Sequence, residues 1–473
     1  MVKYSGGDIV VFSSAIFLYW FLPITFLLYH IVPSKKGKNI ILTIASLVFY
    51  AFGQLQYLPL LLFSVLCNYI FGRLLKKIKR CKAILTVALL INIGILCLFK
   101  YTDFLITSFN QIFSITIPTT GIVLPIGISF FTFQGISYVM DVYRNPEEGT
   151  DDFLKVLLYI SFFPQLIAGP IIKYHDISME IDNRVCTLQQ TAEGFRRFIV
   201  GLSKKLLLSN TVGFVVDNIF ALNETQLDIR LAWLGAICYV FQIYFDFSGY
   251  SDMAIGLGKV FGFHFKENFN YPYTADSIKE FWRRWHISLS SWFRDYLYIP
   301  LGGNRFGTVR TGIHKLIVFF ATGFWHGANV TFILWGLFHG LFSVLEQANI
   351  IPVGKMKGKG LGHLYTMLVV TLGFVLFRSE NLSQASMMVT KMFTVSSFSL
   401  ENTLLLKELL SPYTIFILLL CVIGSLEIVP KLSKIVPKKK IERGSYVLAI
   451  ILFLFSIIDL SASTFNPFIY FQF

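Results

Sequence analysis

Apolar runs of the length a helix needs to cross a bilayer recur from one end of this chain to the other. Crossing roughly 30 Å of hydrocarbon takes about 20 helical residues. Runs of that order begin near residues 8, 83, 121, 154, 197, 228, 312, 330, 362, 411 and 445. Backbone amides left unpaired in lipid cost several kcal/mol each, so only helices and closed barrels span it. The periodicity here is helical, not the strict alternation of an outer-membrane barrel. With 473 residues, 55% hydrophobic and only 14% charged, and a mean hydropathy of +0.65, the chain is too apolar for a set of soluble domains. The expected fold is an all-α polytopic membrane protein with roughly 11–13 transmembrane or re-entrant helices. The first run, about 8–32, is too long for a signal peptide's apolar core and reads as a retained helix.

A net charge of +14 would suggest nucleic acid in a soluble protein. Here the lysines and arginines sit in short loops, at 34–38, 73–82, 355–359 and 431–443. That is the orientation signal, and it places these loops in the cytoplasm, the N-terminus outside, and no nucleic acid among the partners. Between the first two loops the chain must go out and return. Gly53 and Pro59 interrupt the two halves, which read as short, re-entrant elements. The run SFFPQLIAGP carries Pro164, Gly169 and Pro170, and fits a broken re-entrant element or a kinked span equally well. The six cysteines show no metal-type pairing, and no metal site is expected. There is no internal repeat or long linker, so residues 1–473 read as a single membrane-embedded domain.

Nearly all the polar chemistry collects in 241–340. The first part, FDFSGYSDMAIG, puts Asp246, Ser248, Tyr250, Ser251 and Asp252 at the end of an apolar run, where a carboxylate needs a partner or a function. Residues 258–311 are too polar to span and too aromatic to float free, so they are expected to form a cytoplasmic loop lying on the membrane. Within it Ser277 and Glu280 form a capping box that starts a helix. On a helical wheel Trp282, Trp285, Leu289, Trp292, Phe293 and Tyr296 share one arc, which predicts an interfacial amphipathic helix with His286 at the edge of that arc. A structural hydrogen-bonding role and a catalytic one fit His286 equally. Arg283 and Arg284 read singly as membrane anchors, and as a group with Arg294, Arg305 and Arg310 they would suit a phosphate-rich donor.

His326 follows Trp325 and precedes Gly327 and Ala328 inside an otherwise apolar stretch. The small residues allow close approach of a helix or a substrate chain, and a neutral imidazole there can take a proton from a hydroxyl. His339 reads as an ordinary buried histidine satisfied by a backbone carbonyl.

The runs FQIYFDFSGYSDMAIGLG, EFWRRWHISLSSWFRDYLYIPLGGNR and GFWHGANVTFILWGLFHG resemble the membrane-bound O-acyltransferase family, in particular its bacterial alginate O-acetylation branch. The N-terminal VFSSAIFLYWFLPITFLLYHIVP and the SFFPQLIAGPIIKY run are similar to that branch too. The resemblance implies a funnel-shaped fold with His326 central to catalysis and His286 as the second polar active-site residue. Substrate contacts are expected from Asp246, Tyr250, Trp325, Asn329, Arg283 and Arg284. It further implies acetyl-CoA as a cytoplasmic donor with no bound cofactor. The acetyl group would cross a bacterial inner membrane, where extracytoplasmic partner proteins place it on a polysaccharide such as an alginate-like exopolysaccharide or peptidoglycan. Phe324 and Val330 depart from the usual leucine and tryptophan of the motif. D-alanyl transfer to teichoic acid is the rival within the class. From another class, a transporter would use Asp246, Asp252, His326 and His339 to relay protons, but it predicts paired halves, whereas the polar set crowds into one third of the chain.

Overall fold

The computed structural model describes residues 11–395, 398–462 and 468–469, so the first residues of the 8–32 run lie outside it. Every extended regular element among them is a helix, as expected. Seven segments are long and apolar enough to cross a membrane. Counting the pair Leu400–Leu409 and Pro412–Ser425, bent by 62°, as one more span makes eight. This is a multi-pass membrane protein. The count is smaller than the number of apolar runs because several runs fold as shorter helices. Ile128–Arg144, for example, is buried along most of its length, so its apolarity serves protein contacts. Hydropathy does not tell a protein neighbour from a lipid one.

The chain forms two compact units. The first is built from residues up to Phe198 together with Tyr250–Lys266. Its helices include α1 (Lys35–Gln54), α2 (Leu58–Lys77), α3 (Lys82–Lys100) and α4 (Ile128–Arg144). The half-length elements expected between the first two basic loops are instead two helices of 20 residues, each about 30 Å long, joined by a single 3₁₀ turn at Leu55–Tyr57. Gly53 falls in the last turn of α1 and Pro59 in the first turn of α2, where a missing N–H breaks no helical bond. Asn68 of α2 and Asn92 of α3 exchange amide hydrogen bonds of 3.1 and 2.9 Å. Gly135 of α4 packs on this pair so tightly that a Cβ there would lie 2.4 Å from Asn68 Nδ2.

The SFFPQLIAGP run is broken as its prolines require. The helix Phe153–Ser161 stops at Phe162, and a single turn, Phe163–Leu166, follows. All ten residues are buried in protein, and the break in the helix is met by protein partners for some of their polar groups, though Gln165 Oε1 has none among the described residues. The Phe163 N–H donates to Ser46 Oγ at 3.0 Å, and Gln165 Nε2 donates to the Tyr159 carbonyl at 2.6 Å.

The second unit comprises Ile199–Gly249 and Glu267–Ile469. The long helix α5 (Ile229–Val260) enters both units. In the second follow α6 (Ile278–Arg284), α7 (Ile287–Phe293), α8 (Gly307–His326), α9 (Val330–Gln347) and α10 (Leu361–Arg378). The single amphipathic helix expected from Ser277 onward is therefore corrected to two short helices broken at Trp285 and His286, with a π-helical turn, Arg294–Tyr298, after them. The Ser277 cap forms, accepting the Glu280 N–H at 3.1 Å, but the Glu280 carboxylate turns to Arg284. The aromatic arc faces protein: Trp282, Trp285, Leu289 and Trp292 are all buried. An aromatic stripe satisfies a core as well as an interface, which is why the wheel alone could not choose.

Candidate active site

Helices α8 and α9 form a hairpin whose backbones nearly touch. A Cβ on Gly323 would sit 2.3 Å from the Phe332 carbonyl oxygen, and one on Gly336 would sit 2.3 Å from that of Phe319. Two helices can approach this closely only through glycine. The short connection explains the motif that follows the histidine. Gly327 leaves room for the Phe332 ring, which a Cβ would meet at 2.3 Å. Asn329 caps α9, its side chain accepting the Thr331 N–H at 3.1 Å while Nδ2 donates to the Glu380 carbonyl at 2.8 Å. Asn329 thus caps α9 and ties it to the chain after α10.

His326 is the last residue of α8 and is only 5% exposed. Its ring packs edge-on against Trp335 at 5.0 Å and Phe377 at 5.2 Å, with Trp325 at 4.8 Å. Gly327, expected to admit a neighbour, thus admits the hairpin's own Phe332 ring, and Phe377 of α10 closes on His326 from outside the hairpin.

His286 stands at the break between α6 and α7 in the left-handed region, φ +41°. The cause lies in Asn268. Its Oδ1 accepts the Ser288 N–H at 3.1 Å and the Ser288 hydroxyl at 2.8 Å, and its carbonyl accepts the Ile287 N–H at 2.9 Å. These bonds replace helical ones and force the turn. Because Oδ1 is the acceptor in both, His286 Nδ1, 3.1 Å away, carries the proton and Nε2 the lone pair. His286 is 1% exposed, and burial pushes its pKa down to about 3, which keeps the ring neutral. It packs on Phe247 at 4.5 Å, and the Trp325 ring, 6.4 Å away, is itself 4.8 Å from the His326 ring. The two histidines and Trp325 therefore form one buried cluster in the second unit.

The remaining candidates fall elsewhere. Asp246 is 1% exposed and paired with Lys205 at 2.6 Å, so it is not a free substrate ligand. Tyr250 belongs to the first unit, stacked on Phe12 at 4.8 Å. Arg284 is held between Glu280 and Glu427, each at 2.7 Å, and its charge is matched without a phosphate. Arg283 is exposed. Asp252 pairs with Arg197 at 2.9 Å in the first unit. His339 finds no backbone carbonyl: among the described residues neither ring nitrogen has a hydrogen-bond partner. Asn268 and Trp335 were missed, though both lie within the polar stretch. An asparagine whose side chain competes with a helix for backbone N–H groups was the available signal.

A cavity of about 240 Å³ opens between α7 and α8, lined by Trp282, Phe293, Arg294, Tyr298, Lys315 and Thr322 among others. It joins two cationic side chains to an apolar, aromatic wall.

A buried histidine pair within a membrane-embedded helical bundle matches a known class. Residues 145–350 match the model of MBOAT, the membrane-bound O-acyltransferase family. A Pseudomonas putida protein named "Probable alginate O-acetylase AlgI" is 40% identical, covering 98% of this chain and all of its own. A Helicobacter pylori peptidoglycan O-acetyltransferase is 37% identical over 83% of this chain and 81% of its own, and a Bacillus subtilis teichoic acid D-alanyltransferase is 28% identical over 55% and 69%. The chain belongs to the membrane-bound O-acyltransferase family. It is a membrane O-acyltransferase, and its similarity places it with the alginate O-acetylation branch.

Proposed function

We propose that this enzyme takes an acetyl group from acetyl-CoA at the cytoplasmic face of a bacterial inner membrane and passes it outward. There, extracytoplasmic partners place it on a polysaccharide, alginate-like or peptidoglycan. The N-terminus lies outside, and the basic loops and the 258–311 segment face the cytoplasm. The observation that carries the reading is His326, a buried imidazole at the closed end of a glycine-tight hairpin, in one cluster through Trp325 with the neutral imidazole of His286. A hydroxyl attacks a thioester slowly unless a base takes its proton as the bond forms. His326 is the base, and such help is typically worth about 10² to 10⁴ in rate. His286, fixed by Asn268 with its lone pair on Nε2, is the second polar group of the site. The cavity bearing Lys315, and Arg294 already paired with Asp295 at 2.7 Å, supports an anionic, phosphate-bearing donor through Lys315.

Acetyl is favoured over D-alanyl because the alginate and peptidoglycan relatives are more alike over far more of the chain than the teichoic acid one. The test is polysaccharide acetyl content in cells expressing His326 variants at matched levels. His326→Ala should abolish acetylation without loss of protein. His326→Gln, which hydrogen-bonds but takes up no proton near neutrality, should be almost as inactive. Near-normal acetylation with Gln would reduce the side chain to an orienting role and remove the general base.

A further inference from the structure

Beside His326 lies a second group of polar atoms that the reading above does not use. Trp282, Trp335 and His339 touch one another in a triangle, with ring centroids 5.6 Å apart for Trp282 and Trp335, 5.3 Å for Trp282 and His339, and 5.4 Å for Trp335 and His339. Their exposures are 9%, 1% and 0%. Among the described residues, neither indole Nε1 nor either ring nitrogen of His339 has a hydrogen-bond partner. Buried polar groups are nearly always paired, and a purely structural cluster would use Phe or Leu here and avoid the penalty. Unpartnered atoms on each of three touching rings therefore point to a ligand that supplies the missing partner.

The chemistry of the atoms restricts that ligand. Indole N–H groups only donate, and a neutral imidazole has one N–H. A Cβ on Gly373 would lie 2.5 Å from His339 Nε2, so the α10 backbone closes over that nitrogen and leaves Nδ1 for a ligand. The triangle offers N–H donors in an apolar cage, which suits an uncharged oxygen acceptor that gains negative charge during reaction. Trp335 places this cage directly against the His326 ring, at 5.0 Å. Trp282 is also a wall of the cavity that bears Arg294 and Lys315.

We propose that Trp282, Trp335 and His339 form the oxyanion-stabilising site of this acyltransferase. The proposal rests on the assignment of His326 as base. The acceptor hydroxyl oxygen bonds to the thioester carbonyl carbon, its proton passes to His326, and the carbonyl π pair moves onto the oxygen, where the N–H groups receive it. The pair then returns, the carbon–sulfur bond breaks, and the thiolate takes the proton back from the imidazolium. Donors in a site without water act most strongly on the charge that develops in the transition state, so they raise kcat more than they tighten substrate binding.

The experiment measures thiol release from acetyl-CoA by the purified full-length protein with a soluble oligosaccharide supplying the acceptor hydroxyl, comparing wild type with Trp282→Phe, Trp335→Phe, His339→Phe, His339→Gln and His326→Ala. Each Phe variant keeps an apolar ring and deletes the N–H. The expected result is a fall in kcat of about 10² to 10³ for the strongest donor with KM for acetyl-CoA unchanged. His339→Gln, which restores a side-chain N–H, should recover part of the loss. Wild-type kcat in Trp282→Phe, Trp335→Phe and His339→Phe, or a rise in KM alone, with His326→Ala inactive, overturns the proposal and leaves the role of His326 standing. Activity in His326→Ala removes both. Should His339→Phe fail to accumulate, the two tryptophan variants decide alone: wild-type kcat in both overturns the proposal.

Discussion

Lys205 Nζ lies 2.6 Å from Asp246 Oδ1, and the two side chains are 2% and 1% exposed. Lys205 sits on the π-helical segment Lys204–Ser209, and such widened turns recur where a helix must re-aim a side chain. The same carboxylate accepts the Ser209 hydroxyl at 3.4 Å and the Ile469 N–H at 2.9 Å, while the ammonium lies 4.7 Å from the centre of the Phe468 ring. The pair therefore ties Phe468 and Ile469 to two helices. Removing one partner strands a buried charge, at about 3–5 kcal/mol. Asp246→Asn and Lys205→Met should each melt well below wild type in detergent, and Lys205→Met with Asp246→Leu should lose less than either. A double variant less stable than both singles would refute the pairing as the cause.

The bond from His286 to Asn268 makes a separate forecast. His286→Ala should lower acetyl transfer while the protein still accumulates, and Asn268→Leu should lower it too, because the tautomer and the turn at φ +41° depend on that oxygen. Turnover at the wild-type rate in His286→Ala would make this histidine structural.

Topology is testable at the loop before α8 and at the first turn of that helix. Asn304 and Thr308 are exposed, whereas Gly307 between them has φ +85° and would strain with any side chain. Cysteines at Asn304 and Thr308 should react with an impermeant maleimide only after the cells are opened. Reaction in intact cells would invert the assigned orientation.

His175, on the helix Tyr174–Asn183, donates from Nδ1 to Asp141 at 2.8 Å and lies 3.3 Å from Asp176. The hydrogen bond to Asp141, then that to Asp176, raises its pKa from 6.5 to about 10. A folded-state pKa above the unfolded one stabilises fully below about 6.5, and that contribution fades as pH rises through 10. The melting difference between wild type and His175→Gln should thus be largest near pH 6 and close above pH 10. A gap that widens with pH would contradict the ion pair.

The runs of Leu, Ile and Phe made the helical, membrane-embedded class legible, because lipid permits few backbone solutions. The polar stretch 241–340 was legible for a related reason: imidazoles and carboxylates inside apolar runs cost too much to be incidental. Pattern could not say which of these groups had partners within the fold. Asp246 and Arg284 looked available until Lys205, and then Glu280 and Glu427, were found against them. His339 looked satisfied and is not. The wheel through 277–296 could not show that Asn268, 18 residues before His286 and outside that window, would break the helix there. The sequence determines which groups are too polar for their surroundings. Pairing depends on distance between elements remote along the chain, and only the tertiary packing sets that distance.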